Sequence, residues 1–210
     1  MMAQAPINVR RKPRQSRAKF TQQALLETTV QLLREKSFDE ITIREITEIA
    51  GVGLGTFYEY FSQKEDVIAL IIHQYIKMNI QQLQHLATTQ LSNYPNLSID
   101  HYLYYLIEQQ LLIIRQEQRI WATIFLLERQ LSSVEIYQKH YDLMTQHWQN
   151  LLTPYYHQSI KKQRVAQNLH RIIYGFVMQG LLIQPDFQDW ENLQEDIITA
   201  SLAFVTTQED

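Results

Sequence analysis

Three of the five glycines in this 210-residue chain stand at alternate positions, Gly51, Gly53 and Gly55, and the five prolines lie at 6, 13, 95, 154 and 185. So few breakers argue against an all-β fold, which needs many tight turns, and leave long stretches open to helix. The clustered glycines mark one sharp corner. Two helices cross steeply only where backbone approaches backbone, and glycine permits that through its missing β-carbon and its access to positive φ. A short amphipathic segment, Thr42 to Ala50, precedes the corner, and a long apolar-periodic run follows it.

Hydrophobic spacing predicts the remaining elements. Phe20, Ala24, Leu25, Thr28, Leu32 and Leu33 recur at helical intervals and predict a first helix near 18–36, followed by a turn at Ser37–Glu40 with Phe38 in the core. Thr42 and Glu45 have the spacing of a capping box, opening a second helix whose apolar face is Ile43, Ile46, Ile49 and Ala50. Gly51 stands at its C′ position. A short third helix covers Leu54–Phe61, and Ser62 with Glu65 reads as a second capping box. That box opens a fourth helix through Val67, Leu70, Ile71, Tyr75 and Met78 toward residue 86. After a break at 88–98, five more helices are expected near 99–115, 118–128, 132–152, 158–183 and 187–206, the last capped by Asp186. The expected fold is all-α, with a three-helix head (18–64), a larger helical body (65–210) and about nine helices in all.

Helix, glycine turn and short helix form the layout of a helix-turn-helix DNA reader. Leu54, Gly55, Thr56 and Tyr58 face outward on the third helix, with Phe57 and Phe61 facing inward. Leu54 and the Thr56 methyl suit thymine methyls, and Gly55 lets the backbone press close to the groove. Arg44 on the second helix either bonds a guanine edge or pairs with Glu48 one turn on. Tyr58 and Tyr60 place hydroxyls where phosphates would pass, with simple packing as the alternative for either one. Lys64 is a cation in the first turn of a helix, where the dipole disfavours it and a nearby phosphate would offset the cost.

The segments Thr42-Ile43-Arg44-x-Ile46 and Ala50-Gly51-Val52-x-x-Gly55-Thr56-Phe57-Tyr58-x-Tyr60-Phe61-x-x-Lys64-Glu65 resemble the N-terminal domain of TetR/AcrR-type transcriptional regulators over roughly residues 18–70. The resemblance implies a homodimeric, all-helical repressor that binds a palindromic double-stranded operator and carries a divergent ligand-binding body. By position it implies phosphate contacts at Thr42, Tyr58, Tyr60 and Lys64, and groove-facing roles for Arg44, Leu54, Gly55 and Thr56. Two positions depart from the pattern. Gly53 stands where serine is common, leaving only a backbone amide for a phosphate, and Glu59 stands where a base is frequent.

Net charge is −3, and its distribution is uneven: residues 1–64 hold ten basic and seven acidic side chains, residues 65–210 nine and fifteen. A basic head on an acidic body suits a DNA-binding domain carried by a body that does not touch DNA. Residues 1–17 read as a flexible arm whose Arg14 and Arg17 join the DNA contacts. There is no cysteine, and the longest nearly apolar run, Ile172 to Ile183, is too short to span a bilayer. The basic N-terminus has no apolar stretch behind it, so a cytoplasmic protein without a membrane segment is expected.

The body shows no catalytic constellation, no phosphate cradle and no metal-ligand spacing among its histidines, so neither an enzyme nor a cofactor or metal is expected. It is dense in aromatics, which at helical spacing are ordinary core but also supply the rigid walls that small-molecule pockets use. The resemblance implies a ligand site among the fourth to eighth helices, with Tyr102, Tyr105, Trp121, Phe125, Tyr141 and Met178 as candidate lining. The lack of a cationic cluster favours an apolar, neutral or cationic effector over a polyanion. The last two helices are apolar enough to suggest a two-fold interface through Ile172, Phe176, Leu181, Ile198 and Leu202, with Gly175 and Gly180 allowing close approach. The alternative keeps the same head in a regulator controlled by a protein partner or acting as an activator.

Overall fold

The computed structural model describes residues 16–206. In order these form α1 (Ser16–Glu35), a 3-10 turn (Phe38–Glu40), α2 (Ile43–Ile49), α3 (Leu54–Tyr60), α4 (Lys64–Asn93), α5 (Ile99–Gln116), α6 (Gln118–Leu131), α7 (Val134–Leu151), α8 (Ser159–Ile183) and α9 (Trp190–Thr206). The fold is all-α: a three-helix head, then a larger helical body, with no strand among the described residues.

The corner forms as the glycines require. Gly51 takes φ +67°, the left-handed region, and Gly53 starts α3 with its carbonyl accepting Thr56 N–H at 2.9 Å. Thr42 caps α2, its hydroxyl accepting Glu45 N–H at 3.2 Å. The expected reciprocal bond from Glu45 is not made, because both its carboxylate oxygens take the Lys36 ammonium at 2.6 Å. Start of α4 differs likewise: Ser62 N–H is taken by the buried Asp66 at 2.8 Å, not by Glu65. The head core closes over Leu25, Ile46, Phe57 and Phe61, all fully buried.

Helix α4 runs a full two turns past the expected stop near residue 86. Ala87 is buried and holds the helix to the body, while the hydroxyls of Thr88 and Ser92 donate to carbonyls four residues back. It ends only at Tyr94, whose backbone is turned away from helix by Pro95. At 30 residues it spans about 45 Å, at 1.5 Å per residue. It packs on α1 and on α5, α6 and α7, so one element runs from head to body. Asp186 does not cap α9; it accepts from Arg119 Nε at 2.9 Å, and α9 begins at Trp190 with the Asp189 carbonyl as its first acceptor.

Most apolar residues of α8 and α9 are spent inside the chain. These two helices pack against each other, α8 on α6 and α7, and α9 on α5. Leu181 and Ile198, expected at a two-fold interface, are buried in this core. Phe176 remains exposed, and Ile172 and Leu202 are half-buried. A Cβ built at Gly175 would meet nothing within 4 Å, and one at Gly180 would touch only the Phe187 ring at 3.9 Å.

Candidate DNA interface and effector cavity

The outer surface of the head is built from α2, the corner and α3. Leu54, Gly55 and Tyr58 are exposed on α3, and Thr56 is half-buried beside them. Ile49, expected on the apolar face of α2 with Ile46, is 51 % exposed and extends this surface, whereas Ile46 one turn back is fully buried. Arg44 stands out in solvent with its Nε 3.1 Å from Glu48 Oε1. Such an exposed i, i+4 pair is worth only a few tenths of a kcal/mol, roughly 0.3–0.5, so it yields readily to a stronger acceptor. Thr42 is exposed with its hydroxyl oxygen engaged in the cap. Arg17 is exposed on α1, and Arg14 lies outside the described residues.

One expected phosphate contact is corrected, and a second is engaged within the head. Tyr60 is 3 % exposed and belongs to the head core, since Phe57, Tyr60 and Phe61 share one helical face. Lys64 reaches across to the 3-10 turn: its ammonium donates to the carbonyls of Phe38 at 2.9 Å and Ile41 at 3.0 Å, and lies 4.3 Å above the centre of the Phe38 ring. In the structure that clamp offsets the unfavourable dipole at this helix start.

A cavity of about 60 Å³ lies in the body among α4, α5, α6, α7 and α8. Trp121, Phe125 and Tyr141 line it as expected; Tyr102, Tyr105 and Met178 do not. Tyr102 is fully buried elsewhere, its hydroxyl donating to Leu151 O at 3.1 Å. Tyr105 is half-buried against the core, and Met178 turns its sulfur to Arg129 Nη1 at 3.6 Å. The apolar wall is a run of rings: Trp121 and Phe125 at 5.7 Å, then Phe125 and Tyr174 edge to face at 5.4 Å.

Composition alone did not point to the polar wall. Glu128, nearly fully buried, meets His140 Nδ1 at 2.6 Å and accepts the Tyr174 hydroxyl at 3.2 Å. Burial, then the Glu128 charge, drives the Tyr174 hydroxyl well above its ordinary pKa, so it stays a donor. Burial lowers His170 to about 4, assisted by Arg171, so it lines the cavity as a neutral ring. Asn79 and Gln110 also line the cavity. A readable signal existed for these two: each is a lone polar residue on an otherwise apolar helical stripe, Asn79 between Ile76 and Leu83, Gln110 between Ile107 and Ile114.

Cavity and head are linked. Trp121 stands edge to face with Tyr75 of α4 at 5.6 Å, and the Tyr75 hydroxyl donates to Glu117 Oε2 at 2.9 Å. The other Glu117 oxygen holds Arg34, in the last turn of α1.

A family profile described as bacterial regulatory proteins, tetR family, matches residues 25–71, the segment that holds the corner, α3 and the start of α4. Over this segment the chain is similar to TetR-family regulators. Among curated relatives, the HTH-type transcriptional regulator YvdT of Bacillus subtilis is 31 % identical over 72 residues, 34 % of this chain and 36 % of that protein. An HTH-type transcriptional regulator of Staphylococcus aureus is 26 % identical over 98 residues, 46 % of this chain and 53 % of its own. The matched segment thus spans between a third and about half of these relatives. Solved structures with the same fold cover nearly all of the chain. Thermus thermophilus FadR, a TetR-family repressor in complex with lauroyl-CoA, superposes with TM-score 0.64 at 17 % identity, covering 86 % of this chain and 93 % of its own. SmeT, the repressor of the Stenotrophomonas maltophilia multidrug efflux pump SmeDEF, superposes with TM-score 0.64 at 19 % identity, covering 88 % and 91 %. The body that follows the head has no helix, among the described residues, long and apolar enough to cross a membrane.

Proposed function

We propose that this chain is a ligand-responsive, dimeric transcriptional repressor. Its residues 18–64 read a palindromic operator with help from the basic arm at 1–17, and its residues 65–210 bind an effector and a second copy. One observation carries the DNA reading. Gly55 is exposed, and a Cβ built there would meet nothing within 4 Å. The fold gains nothing from a glycine at this position, where alanine would be favoured by about 0.5–1 kcal/mol in a helix. The close approach that needs the missing side chain comes from outside the chain, at the centre of a surface that also offers Leu54, Thr56 and Tyr58. Gly53 adds an amide at the same helix start, where a phosphate is well received.

Pairing two heads at one groove repeat, roughly 34–36 Å, requires a two-fold partner. The exposed Phe176 and the half-buried Ile172 and Leu202 support a contact through α8 and α9, with open space at Gly175 for close approach. An effector must widen the small body cavity, and widening displaces Trp121 against Tyr75 on the helix shared with the head. Relieving repression 100-fold needs about 2.7 kcal/mol of differential affinity, within the usual coupling range.

The test is selection of randomised duplexes by the purified full-length protein, followed by comparison of variants on the selected site. Gly55→Ala is expected to raise stability by about 0.5–1 kcal/mol and yet weaken operator binding about tenfold. Arg44→Ala relaxes base preference, and Tyr58→Ala weakens all duplexes alike. Undiminished binding by Gly55→Ala, or selection that returns no inverted repeat, overturns the reading.

A further inference from the structure

We infer that the body cavity takes an uncharged ligand that presents a hydrogen-bond donor beside an acceptor, as a lactam, amide or urea group does, on an aromatic or apolar frame. The inference rests on the effector reading of the same cavity and narrows it to a chemical class.

Four polar atoms on the cavity wall have no protein partner: Asn79 Oδ1, Asn79 Nδ2, Gln110 Oε1 and the Tyr141 hydroxyl. Asn79 is 3 % exposed and Gln110 5 %. Leucine would continue both helical stripes and remove the penalty of an unsatisfied buried amide. The amides are therefore costly to the fold by itself, and their remaining use is to meet something within the cavity. Their sense is specific. Two amide oxygens ask for donors, one amide nitrogen asks for an acceptor, and the hydroxyl accepts either. A side-chain amide engages an adjacent donor and acceptor through two parallel bonds, the geometry by which asparagine recognises a planar heterocycle edge.

Charge points the same way. An anion would bring lone pairs against both amide oxygens and against Glu128, with no cationic group on the wall to receive it except through His140, which Glu128 already holds at 2.6 Å. Burial keeps His170 neutral, as noted above. A quaternary cation brings no donor at all, and Glu128, bonded to both His140 and Tyr174, is not waiting for a counter-ion. The flat rings of Trp121 and Phe125 suit a planar frame, and the flexible Met144 side chain in the same lining can yield as the cavity widens.

The experiment uses the purified full-length protein and four probes of matched size: 2-quinolinone, N-methyl-2-quinolinone, N-methylquinolinium and 2-naphthoate. Melting curves and titration calorimetry read binding, and operator affinity is measured on the same preparations. The expected result is that 2-quinolinone raises the melting temperature and binds at least tenfold more tightly than its N-methyl analogue, which lacks the donor. Asn79→Leu and Gln110→Leu should melt at or above the wild type without ligand, and should lose that tenfold discrimination. Tighter binding of the quinolinium or the naphthoate overturns the assignment, as does absence of saturable 2-quinolinone binding or discrimination that survives both substitutions. If operator binding persists in such a case, only the ligand class fails; if no duplex is preferred, the regulator reading beneath it fails as well.

Discussion

His147 lies buried beside Trp148, ring centres 6.4 Å apart, and its Nε2 has no partner. Burial lowers it to about 4, as it does His170. The unfolded chain protonates these rings near 6.5, so between those values the unfolded state binds more protons than the folded one. Stability from keeping them neutral is complete above about pH 6.5 and is lost as pH falls toward 4, at up to about 1.4 kcal/mol per pH unit for each ring. Urea midpoints measured from pH 7.5 to 4.5 should decline over that interval, and His147→Leu should flatten the decline; a midpoint indifferent to acid contradicts the assignment. Legibility at this scale was uneven for a physical reason. The type of a residue is visible in sequence, but its direction depends on which of two neighbouring helical stripes it joins. Tyr58 and Tyr60 look equivalent in the string, yet only Tyr60 falls on the stripe with Phe57 and Phe61 and is buried. Lys64 was recognisably out of place at a helix start, but the carbonyls that receive it are 23 to 26 residues away in the chain.

At the scale of elements, that lysine ties the start of α4 to the 3-10 turn between α1 and α2. Lys64→Met keeps an aliphatic stem above Phe38 but abandons the carbonyls, and should cost about 1–3 kcal/mol of stability, the penalty of unpairing partly buried acceptors. Denaturant unfolding without DNA checks this. An unchanged midpoint, with only duplex affinity reduced, returns Lys64 to the phosphate role. Helix existence and order are legible from apolar spacing, capping residues and prolines, and the corner from three glycines. Helix ends were less legible wherever a distant contact decided them. Residues 88–93 look like a break because they are polar, but buried Ala87 and the back-bonded hydroxyls carry α4 on to the proline. Asp186 has the right type and place for a cap, and Arg119, on another helix, takes it instead.

Across the whole molecule, Arg34, Glu117 and Tyr75 join the head to the junction of α5 and α6. The Arg34–Glu117 pair is about half exposed, so its share is small. Glu117→Gln should speed amide hydrogen exchange in α1 and α2 by about two- to fivefold, in keeping with the 0.2–1 kcal/mol of such pairs, while α8 and α9 stay protected. Tyr75→Phe should add little on top of Glu117→Gln, because both cut the same link; full additivity would deny that the three act together. The cavity itself was half legible. Aromatic density pointed to the right helices, and Trp121, Phe125 and Tyr141 do line it. Tyr102 and Met178 have the same chemistry but face other neighbours, a choice made by helix rotation and not by composition.

Gly51 is the one residue with positive φ among those described. The aim of the reading helix relative to the rest of the head therefore hangs on a single torsion that no other residue type holds without strain. Sequence drift elsewhere in the head alters what the surface touches, whereas a change at 51 alters where it points, and the two copies of a symmetric pair would swing off their marks together.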